Sequence, residues 1–198
     1  MTHPDPLDYG WWLASRASGI VALALLGASV GLGLAMAARA LRRPGLPRIL
    51  LALHEHLALA SLVAIAVHGL TLLGDHWLHP GPLGIAVPFA MDYRPVWTGI
   101  GIVAGYLGAA LGLSFYARKR VGAKRWRNTH RLTPLVYVLA VTHTLGAGTD
   151  ASTPWLRTGL VALTAPLVYL IVLRLLPAAG RQANAARPPA HGARSPAG

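Results

Sequence analysis

The sequence contains no cysteine, and only six of its 198 residues are acidic, against 18 lysines and arginines. The absence of cysteine excludes disulfide bonds, cysteine-ligated iron–sulfur clusters and covalent attachment of a c-type haem. A redox centre in this chain would therefore depend on histidine or bind without a covalent link.

Charged residues of both signs are scarce, at 12%, whereas 54% of the residues are hydrophobic. This leaves too little polar surface to cover a soluble globule, and long apolar runs recur between short basic or Gly/Pro-rich segments. The composition is typical of a multi-span membrane protein. The net charge of +12 lies in short loops between the runs, where orientation signals are found, and this argues against nucleic-acid binding.

Five apolar runs are long enough to cross a bilayer, although the fourth is short. The N-terminus, "MTHPDPLDYGWW", has no basic region of the kind that opens a signal peptide, so we expect the first run to remain as a helix. The sequence thus predicts an all-α integral membrane bundle of about five helices, over residues 11–38, 49–73, 96–117, 129–145 and 156–176.

The charge of the loops predicts the orientation. The segments "RALRRPGLPR" and "RKRVGAKRWR" are strongly basic, whereas the opposite side holds all five aspartates. By the positive-inside rule the N-terminus lies outside and the C-terminus in the cytoplasm, in the cell (inner) membrane of a bacterium. We expect residues 1–10 to form a short external segment, residues 11–176 the membrane domain, and residues 177–198 a disordered tail rich in Ala, Pro, Gly and Arg.

The predicted spans contain five histidines, of which four stand at matched depths, two on the second span and two on the fourth. His54 and His68 are 14 residues apart, and His130 and His143 are 13 apart. Both helices run from inside to outside, so His54 is level with His130 and His68 with His143, about 20 Å further out. Two facing pairs of imidazoles at these depths would ligate two b-type haems, with both axial positions of each iron occupied.

The helical phase of these residues supports one pair of positions and not the other. The side chains of His54 and His68 are about 40° apart around the helix axis, so they share a face. Those of His56 and His68 are about 120° apart, which makes His56 the weaker ligand candidate. On a straight helix the side chains of His130 and His143 would be about 140° apart around the axis, which counts against their facing the same partner helix. Pro134 offers an explanation, because it removes a backbone donor and can kink or rewind the first turn.

Two other interpretations remain open at this point. The histidines could be hydrogen-bonded helix-packing residues of a structural subunit. They could also line a proton or metal-ion pathway in a haem-free transporter, since ionisable groups within membranes commonly mark one. Such a pathway usually includes acidic residues, and among the spans only Glu55 supplies one.

The segments "HEHLALASLVAIAVH" and "HRLTPLVYVLAVTH" resemble the ferric reductase-like transmembrane domain, which ferric reductases share with the haem-bearing core of NADPH oxidases. In that family one helix carries two histidines separated by thirteen residues and another carries two separated by twelve, as here. The resemblance covers roughly residues 10–176. It implies a b-type cytochrome that carries electrons across the membrane to an external acceptor. The chain is also similar in size and form to the haem-binding membrane subunit of the bacterial periplasmic methionine-sulfoxide reductase system.

Full-length members of that family usually have six spans and append flavin and nicotinamide-binding domains, which this sequence lacks. It has no G-x-G-x-x-G following a strand. The electron donor is therefore expected to be separate, either an acidic soluble flavin reductase that docks on the basic loops or a membrane quinol that binds near Glu55 and His56.

Arg16 lies about one turn inside the outer end of the first span, where a charged residue normally has a partner. It could pair with a propionate of the outer haem, as the resemblance implies, or extend to the lipid headgroups. Glycines at four-residue intervals predict close helix packing in lipid: Gly27 and Gly31, Gly101 and Gly105, and Gly108 and Gly112.

Overall fold

The computed structural model describes residues 6–38 and 45–175, with side chains from residue 9 onward in the first range. Within these ranges the chain is all-α, as predicted. The proposed tail 177–198 and most of the loop "RALRRPGLPR" lie outside the described residues. The helices are α1 (Pro6–Ala37), α2 (Leu46–Thr71), α3 (Gly81–Ala86), α4 (Pro95–Val121), α5 (Ala123–His130), α6 (Thr133–Ala147) and α7 (Pro154–Leu175), with a 3-10 turn (Leu72–Gly74) after α2.

Among the described residues four helices are long and apolar enough to cross a membrane, namely α1, α2, α4 and α7. The protein is thus a multi-pass integral membrane protein. The prediction of a span over residues 129–145 is wrong at its start, since the 15-residue helix α6 begins at Thr133. At about 1.5 Å per residue it is about 22 Å long, short of the ~30 Å of hydrocarbon.

The interruption before α6 has a local cause. Pro134 occupies the first turn of α6, where its missing N–H costs nothing, and it disfavours continuation of the helix from the residues before it. His130 is the last residue of α5, and its carbonyl accepts a hydrogen bond from the Thr133 hydroxyl. The two histidines predicted to share one helix therefore lie on two, which removes the mismatch of phase between them.

Helix α1 is the central element of the bundle, since it packs along α2 and also contacts α6 and α7, while α4 packs along α6. Gly27 and Gly31 of α1 lie against Leu163 and Leu167 of α7, so this small-residue pattern does bring two helices together. The apolar core is formed by the buried residues Leu23, Leu26, Val30, Leu34, Leu111, Val136, Tyr137, Leu156, Leu160 and Leu167.

Helix α2 contributes no apolar side chain to that core, and its one buried residue is Ser61. Its large apolar residues point outward instead, for example Ile49, Val63 and Leu70, each at least 60% exposed. In lipid such exposure is favourable, so α2 can turn its polar side inward. That inward side carries two of the four predicted histidines.

Candidate functional site

The structure brings the four predicted histidines together in two pairs. The ring centroids of His54 and His130 are 6.1 Å apart, with 88° between the ring planes. Those of His68 and His143 are also 6.1 Å apart, with 72° between the planes. We call these the inner pair and the outer pair, after the predicted orientation. Their pairing agrees with the depths expected from the sequence, and their role as haem ligands stays a prediction.

Helix α1 holds both histidines of α2 in the same way. His54 Nδ1 donates a hydrogen bond to the carbonyl of Ser29 (2.9 Å), and His68 Nδ1 donates to the carbonyl of Ser15 (2.8 Å). Each serine hydroxyl donates in return to the carbonyl of its histidine, at 3.3 and 3.2 Å. Both serines are 3% exposed. Because a carbonyl only accepts, these contacts fix the proton on Nδ1 and leave Nε2 with a free lone pair.

A glycine four residues after each serine makes this contact sterically possible. A methyl group on Gly19 would stand 2.9 Å from His68 Nδ1, and one on Gly33 would stand 3.2 Å from His54 Cε1. Both distances are shorter than normal contacts, so any other residue would push the ring away from the helix. We use the term carbonyl notch for this arrangement. It consists of a backbone carbonyl that accepts a hydrogen bond from the imidazole Nδ1–H and a glycine one turn later that leaves room for the ring.

The notch recurs on α4, where it holds His143. His143 Nδ1 donates to the carbonyl of Trp97 at 2.9 Å, and a methyl group on Gly101 would overlap the His143 ring. The ring of Trp97 itself lies against Gly146, which is less than one turn beyond His143 on α6. Three of the four histidines are therefore oriented by one recurring device, supplied twice by α1 and once by α4.

His130 lacks this arrangement. Fourteen residues after Trp97 and Gly101 on α4 stand Leu111 and Phe115, so a phenylalanine occupies the position of the glycine. The Leu111 carbonyl is close enough to act on His130 as a weak backbone hydrogen-bond acceptor, yet within the described residues the buried His130 Nδ1 makes no hydrogen bond of ordinary geometry. The ring instead stacks on Trp126, with centroids 5.0 Å apart and 27° between the planes.

Arg16 does have a partner, and that partner is Asp150 in the loop between α6 and α7. Arg16 Nε and Nη2 donate to the two oxygens of Asp150, at 2.5 and 2.7 Å. The guanidinium also lies over the ring of Trp12, 5.1 Å from its centroid. This bidentate pair uses two of the donors of Arg16, and a contact with a haem propionate stays a prediction that the remaining donors would have to satisfy.

The structure separates His54 from its neighbour His56. His56 is exposed, and its Nδ1 donates to the carbonyl of Ala52 on its own helix at 2.7 Å. Glu55 accepts a hydrogen bond from the hydroxyl of Tyr116 on α4, at 2.8 Å. The geometry therefore assigns the pairing with His130 to His54, as the helical phase predicted, and leaves Glu55 and His56 near the lipid-facing surface.

Several of these residues were missed by reasoning from the sequence. One signal was present: Ser15 and Gly19 recur 14 residues later as Ser29 and Gly33, the same interval that separates His54 from His68. In an antiparallel helix pair, equal intervals keep both contacts in register. Nothing comparable in the sequence indicates Asp150 as the partner of Arg16, because their contact joins residues 134 positions apart.

Comparison with known families identifies the family of the chain. The model of the family described as ferric reductase like transmembrane component matches residues 18–141, which include His54, His68 and His130. The chain belongs to this family. It is thus a transmembrane component of oxidoreductase type, and the resemblance inferred from the histidine spacings is confirmed. Searches of curated proteins and of solved structures find no match to this member of the family.

Proposed function

We propose that this protein is a b-type cytochrome subunit of a bacterial inner membrane. It would hold two haems, one between His54 and His130 and one between His68 and His143, and transfer electrons across the membrane to an external acceptor. The observation that carries this proposal is the presence of two imidazole pairs with the same ring separation at two depths of one membrane bundle.

The separation within each pair suits two axial ligands of one iron. A metal–imidazole bond is about 2 Å long and the ring centroid lies about 1.1 Å further out, so opposed ligands have centroids about 6.3 Å apart. The observed value is 6.1 Å in both pairs. Among the described residues no three potential metal-ligating side chains gather at one point, so a bare ion would have only two protein ligands. Two ligands are sufficient for haem iron, whose porphyrin supplies the other four.

The carbonyl notches supply what a haem ligand needs from its surroundings. An imidazole that donates Nδ1–H to a backbone carbonyl is fixed in orientation and tautomer, and it becomes a more basic ligand through Nε2. His54, His68 and His143 all meet this condition. Haem, when bound, supplies reversible one-electron chemistry at its iron. The protein supplies ligands, orientation and an apolar environment.

The electron donor is a separate molecule in this proposal. A membrane quinol is favoured by the pair of Glu55 and Tyr116, whose polar groups meet on an exposed part of the bundle beside His54. A carboxylate and a phenol there could take protons from a quinol hydroxyl. An acidic soluble flavin reductase could instead dock on the basic segment "RKRVGAKRWR". Protein in liposomes, mixed first with NADPH and then with a reduced quinone, distinguishes the two donors by the rate of change in haem absorbance.

The test of the haem assignment compares purified wild type with single His→Ala variants. We expect about two haems per chain in wild type and about one in each of His54→Ala, His68→Ala, His130→Ala and His143→Ala. His56→Ala is the matched control, because His56 is exposed and outside both pairs, and it should keep both haems. Equal haem content in all five variants, or none in wild type, would rule out the assignment and favour a haem-free transporter or structural subunit.

A further inference from the structure

His130 is the one histidine of the two pairs that lacks a carbonyl notch. We propose that Trp126 is the positioning residue of His130, and that it takes the place of the notch that orients the other three histidines. This inference rests on the proposed function, since positioning matters here because His130 is a haem ligand. It assigns different constraints to the two ligands of the inner pair, a hydrogen bond for His54 and a ring stack for His130.

Local structure accounts for the stack. Trp126 and His130 are four residues apart on α5, so their side chains lie one above the other on the same face of the helix. The ring planes are 27° from parallel. Phe115 of α4 also contacts Trp126, with ring centroids 5.8 Å apart and 60° between the planes. Arg118 lies over the Phe115 ring at 3.7 Å, so a cation and three rings follow one another.

The same residues explain why no notch forms. Phe115 stands at the position equivalent to Gly101 in the outer pair, so the glycine that admits the imidazole ring is missing, and the Leu111 carbonyl acts on His130 only outside ordinary hydrogen-bond geometry. Within the described residues Trp126 Nε1 and His130 Nδ1 are both buried without hydrogen-bond partners. Unpaired buried donors are costly. The stack on Trp126 is therefore the closest constraint on the plane of the His130 ring.

A stacked imidazole and a hydrogen-bonded one differ as ligands. Donation of Nδ1–H makes an imidazole more basic, and a more basic ligand favours the oxidised, more positive iron. His130 lacks this effect, so the inner site should be easier to reduce than it would be with a notch. The stack fixes the plane of the ring without restraining its proton, and any change at Trp126 should alter the inner site alone.

The experiment uses the full chain loaded with haem and follows each site by redox titration and by electron paramagnetic resonance of the oxidised protein. Trp126→Leu removes the stack and should lower the inner haem content by at least half and change the shape of the inner signal. Trp126→Phe retains an aromatic ring and should restore both. Trp155→Leu is the matched control, because Trp155 is the second residue of α7 and makes no ring contact with any of the four histidines in the described structure.

A second variant tests the same inference in the opposite direction. Phe115→Gly opens a notch at Leu111, so the potential of the inner haem should fall while that of the outer haem stays unchanged. If Trp126→Leu leaves the inner signal and occupancy as in wild type, or if it alters both sites equally, Trp126 has no positioning role. Absence of haem from wild type would instead overturn the proposed function itself, so the two failures are distinguishable.

Discussion

At the outer pair both imidazoles donate their Nδ1 proton to a backbone carbonyl, whereas at the inner pair only His54 does. The ring separations are equal, so the distance between helices does not cause this difference. A difference in sequence accompanies it, since α4 has Gly101 against the His143 ring, and at the equivalent position 14 residues later it has Phe115, which contacts Trp126. A matched pair of sites can thus be built on one helix spacing and still differ in how each ligand is held.

The two ends of the bundle differ in their surroundings as well. At the outer end, the ring of Trp11 lies on Gly74, and Arg16 ties α1 to the loop that contains Asp150. At the inner end α5 carries a high density of lysine and arginine, and the aromatic stack on His130 leads towards Arg118. The outer end is thus held together by aromatic packing and an ion pair, whereas the inner end carries a concentration of positively charged side chains.

The largest effect that would sharpen this comparison is expected from Gly101→Ala. The added methyl group would overlap the His143 ring, so the ring must leave the Trp97 carbonyl. Alanine favours a helix by about 1 kcal/mol over glycine, so a loss cannot come from α4 unfolding. We expect most of the outer haem to be lost and the inner haem to remain, measured by haem content and redox titration.

Gly105→Ala is the control for that variant, since a methyl group there would lie 3.5 Å from Ile65 in an ordinary contact. It should retain both haems. Gly33→Ala should have an intermediate effect restricted to the inner site, because the closest approach to His54 is 3.2 Å. Equal effects of Gly101→Ala and Gly105→Ala would show that the notch does not control haem binding.

A smaller effect is expected from Arg16→Ala, which leaves the carboxylate of Asp150 without its cation. The side chains are 32% and 14% exposed, so solvent screens the pair only in part. We expect a loss of about 1–2 kcal/mol in the free energy of unfolding, and a similar loss for Asp150→Asn. The double variant should be no less stable than either single variant, as measured by thermal unfolding in detergent. Additive losses would contradict a direct interaction.

The smallest effect should come from Ser29→Ala and Ser15→Ala. Each removes a hydroxyl that donates to a histidine carbonyl, while the serine carbonyl that accepts from Nδ1 remains. The expected loss is about 1 kcal/mol or less of stability for each, with haem content unchanged. Loss of a haem in Ser29→Ala would show that the hydroxyl, and not the carbonyl, orients His54.

The sequence predicts the membrane class and the pairing of the four histidines because both depend on local pattern. Segments in lipid are apolar and segments in water are charged, so both are visible in the local sequence. The interval between His54 and His68 is likewise a property of one helix. The start of α6 was predicted wrongly, since the predicted span included His130 and Arg131, whereas α5 ends at His130 and α6 begins at Thr133, next to Pro134. The roles of Trp126, Phe115 and Asp150 depend on contacts between separate elements, which no local pattern records.

The central claim is that each histidine pair ligates one haem iron from opposite sides. Electron paramagnetic resonance of the oxidised protein tests this most directly, because the angle between two axial imidazole planes determines the anisotropy of a low-spin ferric haem. The ring planes here are 88° and 72° apart, and at these angles two d orbitals of a bound haem iron would be nearly equal in energy at each site. The account predicts two strongly anisotropic low-spin signals of equal intensity, one lost in His68→Ala and the other in His54→Ala. A high-spin signal in wild type, or a single low-spin signal that survives both variants, would contradict it.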